Sequence, residues 1–264
     1  MGDPAPEVEH SAAESGADEA MELVGRLTTA SNATFLATIG ETEFVYKPIA
    51  GERPLWDFPD GRLAHREVAS YLVSEALGWG VVPETWLGEG PHGPGMVQRW
   101  IISDESVEPV TIVPAGEIPD GFLHVFDGYD ALDREVSLAH EDTPALRRMA
   151  VFDMITNNAD RKGGHVLPLA SGHRYGCDHG LTFHEEPKLR TILWGWQGLA
   201  FSDEELAGIR TILEGLDGGL GAQLAAYLSG SDLEALGLRC EALLAEGVFP
   251  RPEYDRHVIP WPPF

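Results

Sequence analysis

The chain has 264 residues, enough for one large domain or a two-lobed unit, and 43% of them are apolar, so a sizeable core is available. Its 43 acidic residues outweigh 18 basic ones, giving a net charge of −25, and no Lys/Arg cluster offers a footing for nucleic acid or an anionic membrane surface. No apolar run approaches the about 20 residues of a spanning helix, no secretory signal is recognisable, and two distant cysteines, Cys177 and Cys240, make no disulfide framework, which suits a cytoplasmic protein.

Residues 1–20 are rich in Ala, Glu, Asp, Pro and Gly, and are expected to form a disordered acidic leader. Three β-type runs at 23–27, 34–39 and 43–49, separated by turn residues, predict an antiparallel meander. Val68, Tyr71, Leu72 and Ala76 recur at helical spacing, which predicts a helix over 63–77 with Gly78 and Gly80 as its stop. Two more strands are expected at 81–87 and 95–102, and 103–121, around Val110 and Val113, read as a loop or short hairpin. The first lobe is thus expected over 21–102 and the second over 103–264.

The second lobe reads as mainly helical. Thr143 is a good N-cap with Pro144 at the first helical position, ahead of Leu146 and Met149. Ser202 with Glu205 and Ser231 with Glu234 have the spacing of capping boxes, each opening a leucine-rich helical pattern. Between these helices 166–169 and 173–177 read as a short hairpin, and 257–264, with three prolines, as extended chain. No internal repeat is visible.

The chemistry concentrates around that hairpin. Phosphoryl transfer needs a carboxylate beside the attacking hydroxyl and ligands for the metal that bridges the phosphates. In protein kinases the base Asp and a metal-binding Asn lie five residues apart, and a second Asp follows before a Gly. Asp160 and His165 have the first spacing, and Asp178 ahead of Gly180 has the form of the second. Upstream, Lys47 sits late in the third strand, where it can reach phosphates, and Glu67 lies in the predicted helix, where it can orient that lysine. Gln98, Arg99 and Trp100 stand at the strand and connector that would meet adenine, and the loop 29–34, with Ser31 and Asn32, would cover the phosphates.

The segment from Phe152 and Asp153 through Asn158, Asp160 and Arg161, followed by Asp178, His179 and Gly180, resembles the catalytic and metal-binding loops of the phosphatidylinositol 3- and 4-kinase superfamily. It is most similar to the type II 4-kinases and their bacterial, actinobacterial kinase-like relatives, over about residues 23–201. The resemblance implies a two-lobed, protein-kinase-like α+β fold, with a small antiparallel-sheet lobe carrying one helix and a mainly helical second lobe. It implies an ATP-dependent transferase using Mg²⁺ or Mn²⁺, with Asp160 as base, Asp178 and His165 as metal ligands, and Lys47 held by Glu67 on the phosphates. The family carries Asn where His165 stands, and a histidine ligand would be lost on protonation near its ordinary pKa of about 6.5. The loop between Thr28 and Ile39 contains no glycine.

Each piece has a plainer reading. A strand lysine is usually solvated, Asp178 before Gly180 makes a plausible turn, and Asp153 reads as a brace for the catalytic loop. Trp194 and Trp196 read as packing. His165, His173, Cys177, His179 and His184 crowd together, but without the spacing of a known zinc motif. A nucleotide-binding pseudokinase is the stronger rival, motivated by His165 alone. The acceptor is expected to be a protein hydroxyl or a small molecule, with a phosphoinositide disfavoured by the acidic surface and no stable membrane or nucleic-acid partner.

Overall fold

The computed structural model describes residues 20–27, 32–53, 55, 57–59, 61–252 and 257–264. Ser31 and all but the last residue of the expected leader lie outside the described residues.

The N-terminal part is a five-stranded antiparallel sheet in the order β1-β2-β3-β5-β4, built from β1 (Glu22–Arg26), β2 (Phe35–Ile39), β3 (Thr42–Pro48), β4 (Thr85–Gly90) and β5 (Gly93–Arg99). Alternation in β3 buries Phe44 and Tyr46 against Ala37 and Val97 in a small core, which turns Lys47 to the opposite face. The sheet closes tightly beside that lysine, for a Cβ on Gly95 would lie 2.5 Å from the Lys47 carbonyl oxygen. The expected strand over 81–87 begins later. Val81 and Val82 are drawn into the large core, and the Val81 carbonyl accepts the Gly176 N–H, so sheet pairing starts at Thr85.

Helix α1 (Leu63–Leu77) occupies the predicted span and ends on left-handed Gly78. Its first N–H groups, on Leu63 and Ala64, donate to the Glu52 carboxylate, a cap supplied from eleven and twelve residues upstream. Ala69, Val73 and Leu77 of α1 belong to the large core of the second lobe rather than to the sheet core. The helix therefore ties the two parts together.

The stretch after β5 departs from expectation. Val110–Pro114 (β6), Phe122–Tyr129 (β7) and Glu135–Glu141 (β8) form a three-stranded antiparallel sheet in the order β6-β8-β7. Only Val110, Val125, Leu138 and Ala139 among its apolar residues are buried, so the period-2 signal in the sequence is faint. The helices follow as α2 (Pro144–Thr156), α3 (Asp203–Leu216), a short α4 (Gly219–Leu224) that the sequence did not announce, and α5 (Gly230–Glu246), with the hairpin β9 (Val166–Pro168) and β10 (Arg174–Gly176) between α2 and α3.

Thr143 caps α2 by accepting the Leu146 N–H, and Ser202 with Glu205 forms the expected box on α3. The box on α5 is Ser229 with Asp232, not Ser231 with Glu234. Both pairs have the right spacing. Asp232 decides the register, because it is buried within 3.5 Å of the Arg66 guanidinium of α1. The architecture is thus mixed α/β, an antiparallel-sheet region followed by a largely helical one.

Candidate active site

Four segments converge where the two regions meet. The Lys47 ammonium on β3 lies 2.7 Å from one carboxylate oxygen of Glu67 on α1, and it also contacts a carboxylate oxygen of Asp178. The other Glu67 oxygen accepts the backbone N–H of His179 at 2.9 Å. One buried carboxylate therefore holds both the lysine and the segment bearing Asp178. Burial alone would lower the Lys47 pKa, but the charges of Asp178 and Glu67 outweigh it, so the ammonium is held charged. Asp178 sits at φ 63°, a left-handed turn, with its side chain 52% exposed. Lys47 drives its pKa well below the carboxylate range, against burial.

The second loop hangs from the end of α2. Asn157 ends the helix in a left-handed conformation, and its amide donates to the His184 and Glu186 carbonyls. Asp153 and Arg161, both 0% exposed, form an ion pair with contacts at 2.7 and 2.9 Å. Asn158 donates its amide to Asp153 and accepts the Asp160 N–H. Arg161 also donates to His179 Nε2 at 2.7 Å, which welds the two loops across the hairpin. Asp153 is the brace that the sequence suggested.

With these groups satisfied, the carboxylate of Asp160 remains directed at the cleft, half-buried, with Lys162 3.4 Å away. Burial raises the Asp160 pKa while Lys162 opposes it, and a more basic carboxylate is better suited to take a proton.

His165 lies beside Asp178. Its Nδ1 donates to the Asp160 carbonyl at 2.8 Å, which fixes the tautomer and leaves the Nε2 lone pair free, 3.6 Å from Asp178 Oδ2. Burial, chiefly, lowers the His165 pKa to about 4, so the loss on acidification expected near 6.5 moves far down. An imidazole nitrogen beside a half-exposed carboxylate oxygen is a donor set that fits a first-row divalent metal, Mn²⁺ better than Mg²⁺. These two residues could hold such an ion, which would supply positive charge to the site.

The remaining candidates lie differently. Gln98 is buried in β5 and donates its amide to Thr85, while the N–H groups of Arg99 and Trp100 donate to the Glu84 and Glu43 carbonyls. Asn32 lies at the β1–β2 turn, its carbonyl accepting the Thr34 hydroxyl. Of the crowded zinc candidates, His173 binds the Gly80 carbonyl, His179 accepts from Arg161, and His184 accepts the Glu186 N–H. No metal-ligating cluster of three occurs among the described residues. Trp194 and Trp196 are buried packing residues.

The sequence reading missed a cleft of about 810 Å³ that opens from Asp160 toward Arg190, Trp194, Arg251 and the C-terminal segment. Its one local signal is Lys188 and Arg190 standing close together in a strongly acidic chain.

No model of a known protein family matches the chain. It is 47% identical over 261 residues, 94% of each chain, to the Mycobacterium tuberculosis protein Rv2133c. The crystal structure of the Helicobacter pylori proinflammatory kinase CtkA superposes with a TM-score of 0.44 at 12% identity, covering 88% of this chain and 93% of that one. A likeness that loose carries nothing about the chemistry here.

Proposed function

This chain belongs to the family of Mycobacterium tuberculosis Rv2133c, and for it we propose an ATP-dependent phosphotransferase activity, of the atypical kind that its loops resemble. One observation carries the reading. A strand lysine is paired with a helix glutamate and reaches the aspartate of an Asp-x-Gly turn, and that aspartate is close enough to Asp160 for their charges to interact. That is the constellation phosphoryl transfer uses for positioning and charge stabilisation.

In this reading Lys47, oriented by Glu67, binds the α- and β-phosphates of ATP, and Asp178 with His165 would hold Mg²⁺ or Mn²⁺. Asp160 accepts the proton of the attacking hydroxyl as that oxygen bonds to the γ-phosphorus and ADP leaves. Phosphate oxygens would compete with Asp178 for the Lys47 ammonium, and the carboxylate so released would be available to hold a metal. Arg99 and Trp100 border the adenine, while Asn32 flanks the phosphates. The acceptor is a hydroxyl of a protein, including this one, or of a small molecule. Cys177 and Cys240 are both free thiols, which supports a cytoplasmic setting, and among the described residues no helix is long and apolar enough to cross a membrane.

The test is ligand-induced stabilisation. ATP with Mn²⁺ or Mg²⁺ should raise the melting temperature of the full chain, because a ligand that binds only the folded state stabilises it. An unchanged melting temperature at millimolar ATP with either metal would remove the proposal. A second reading, a nucleotide-binding module without turnover, is favoured by His165 standing where the resemblance implies Asn. It predicts the same thermal shift with no labelled phosphate transferred to any acceptor.

A further inference from the structure

The cleft beside Asp160 has a composition at odds with the rest of the chain. Among the described residues Asp160 is its only acidic lining residue, and Lys188, Arg190, Arg251 and His257 also line it, in a protein with 43 acidic and 18 basic residues. We infer that this cleft binds the anionic group of the phosphoryl acceptor, and that the acceptor is a small alcohol already bearing a phosphate or carboxylate.

The walls are built rather than incidental. The Arg190 guanidinium is braced by Asp57 at 2.8 Å, on the side of the chain that precedes α1. The C-terminal segment is fastened over the opposite side. The Val258 carbonyl accepts the Thr191 N–H and the Trp194 indole N–H, and the Pro263 carbonyl accepts the N–H of Gly163, three residues past Asp160. Phe264 packs so closely on Gly163 that a Cβ there would lie 2.4 Å from its ring.

Lys188 is paired with Glu186 at 3.3 Å and Arg190 with Asp57, whereas Arg251 is exposed and makes no ion pair among the described residues, so it is the cation with charge to offer. A volume of about 810 Å³ lies within the usual range of small-molecule sites, roughly 300–1,000 Å³, and Trp194, Leu189 and Ile259 supply apolar walls. A cationic rim in a strongly anionic molecule favours one class of ligand by charge and repels cationic ones. A hydroxyl would meet Asp160 while the anion rests on the arginines. A lipid headgroup carries the same chemistry, but the surrounding acidic surface favours the soluble form.

The inference rests on the phosphotransferase reading for the word acceptor, and the experiment separates the two. Inorganic phosphate and glucose 6-phosphate, with glucose as the neutral match, are titrated calorimetrically into the full chain saturated with a non-hydrolysable ATP analogue and Mn²⁺. Both anions should bind and glucose should not. Arg251→Glu should weaken the anions about tenfold, since hydrogen bonds to charged groups exceed ordinary ones. Arg210→Glu, the same change of net charge on the exposed face of α3, should leave them unchanged.

Equal weakening by both variants, or binding of glucose as tight as that of glucose 6-phosphate, overturns the inference while leaving nucleotide binding intact. If instead the analogue does not bind, the phosphotransferase reading falls, and phosphate titrated into the protein alone still decides whether the cleft takes anions. Binding of phosphatidylinositol phosphate vesicles in preference to glucose 6-phosphate would overturn the assignment to a soluble ligand.

Discussion

Glu67 takes the Lys47 ammonium at 2.7 Å on one oxygen and the His179 N–H at 2.9 Å on the other. The strand that carries the lysine and the turn that carries Asp178 are thereby fixed to one helix. That helix is packed into the large core through Ala69, Val73 and Leu77, so the spacing of the charged groups is set by the rigid part of the molecule. The arrangement separates roles that substitutions can resolve.

Asp160→Ala is expected to abolish phosphoryl transfer and leave ATP affinity within a few-fold, because its carboxylate faces the acceptor cleft. Asp178→Ala should weaken metal–nucleotide binding as well as turnover. Radiolabel transfer and ATP titration of the two variants check this. Transfer by Asp160→Ala at the wild-type rate would exclude it as the base.

His165→Asn should keep the enzyme active and shift its preference from Mn²⁺ toward Mg²⁺, as an amide oxygen replaces an imidazole nitrogen. With the His165 pKa lowered to about 4 by burial, wild-type metal affinity should hold down to about pH 5. Identical metal rankings for the two proteins would mean that Nε2 is not a ligand.

Arg161→Met should cost roughly 3–5 kcal/mol in urea unfolding, since it strands the Asp153 carboxylate in the core without its charged partner. It also removes the hydrogen bond to His179 that joins the two loops. A loss below about 1 kcal/mol would show that Asp153 finds water or a proton instead.

Stability should fall in mild acid through His140. It is fully buried, donates from Nδ1 to the Glu141 carbonyl and accepts the Gly195 N–H on Nε2, and burial, chiefly, lowers its pKa to about 4. The unfolded chain takes that proton near pH 6.5, so the unfolded state binds more protons between about 4 and 6.5. The contribution is complete above that window and is lost as the pH drops through it. Urea unfolding at about pH 7 and pH 5 should differ by on the order of 1 kcal/mol more for wild type than for His140→Asn. Equal pH dependence would place the titration elsewhere.

The full chain should not sediment with anionic vesicles at physiological salt, given its net charge of −25. Tight, salt-sensitive sedimentation would restore a lipid substrate.

Elements whose signal is local were readable from the residues alone. Helix α1 follows from its apolar spacing and Gly78, α2 from Thr143 and Pro144, and β3 from its alternation, which also turned Lys47 away from the sheet core. The order of Lys47, Glu67, Asp160 and Asp178 was legible for the same reason, because short motifs carry their own geometry.

What the sequence could not supply depends on distant partners. The choice of Ser229 over Ser231 as the α5 cap follows from Arg66 meeting Asp232 across 166 positions of chain. The sheet of β6, β7 and β8 has too little buried apolar surface to announce itself. The basic cleft assembles Lys188 and Arg190 with Arg251 and His257, groups that only become neighbours once the C-terminal segment is tied to Thr191, Trp194 and Gly163 by backbone carbonyls. Those carbonyls are present on every residue, so no pattern of side chains marks which of them will be used; the packed fold alone selects them.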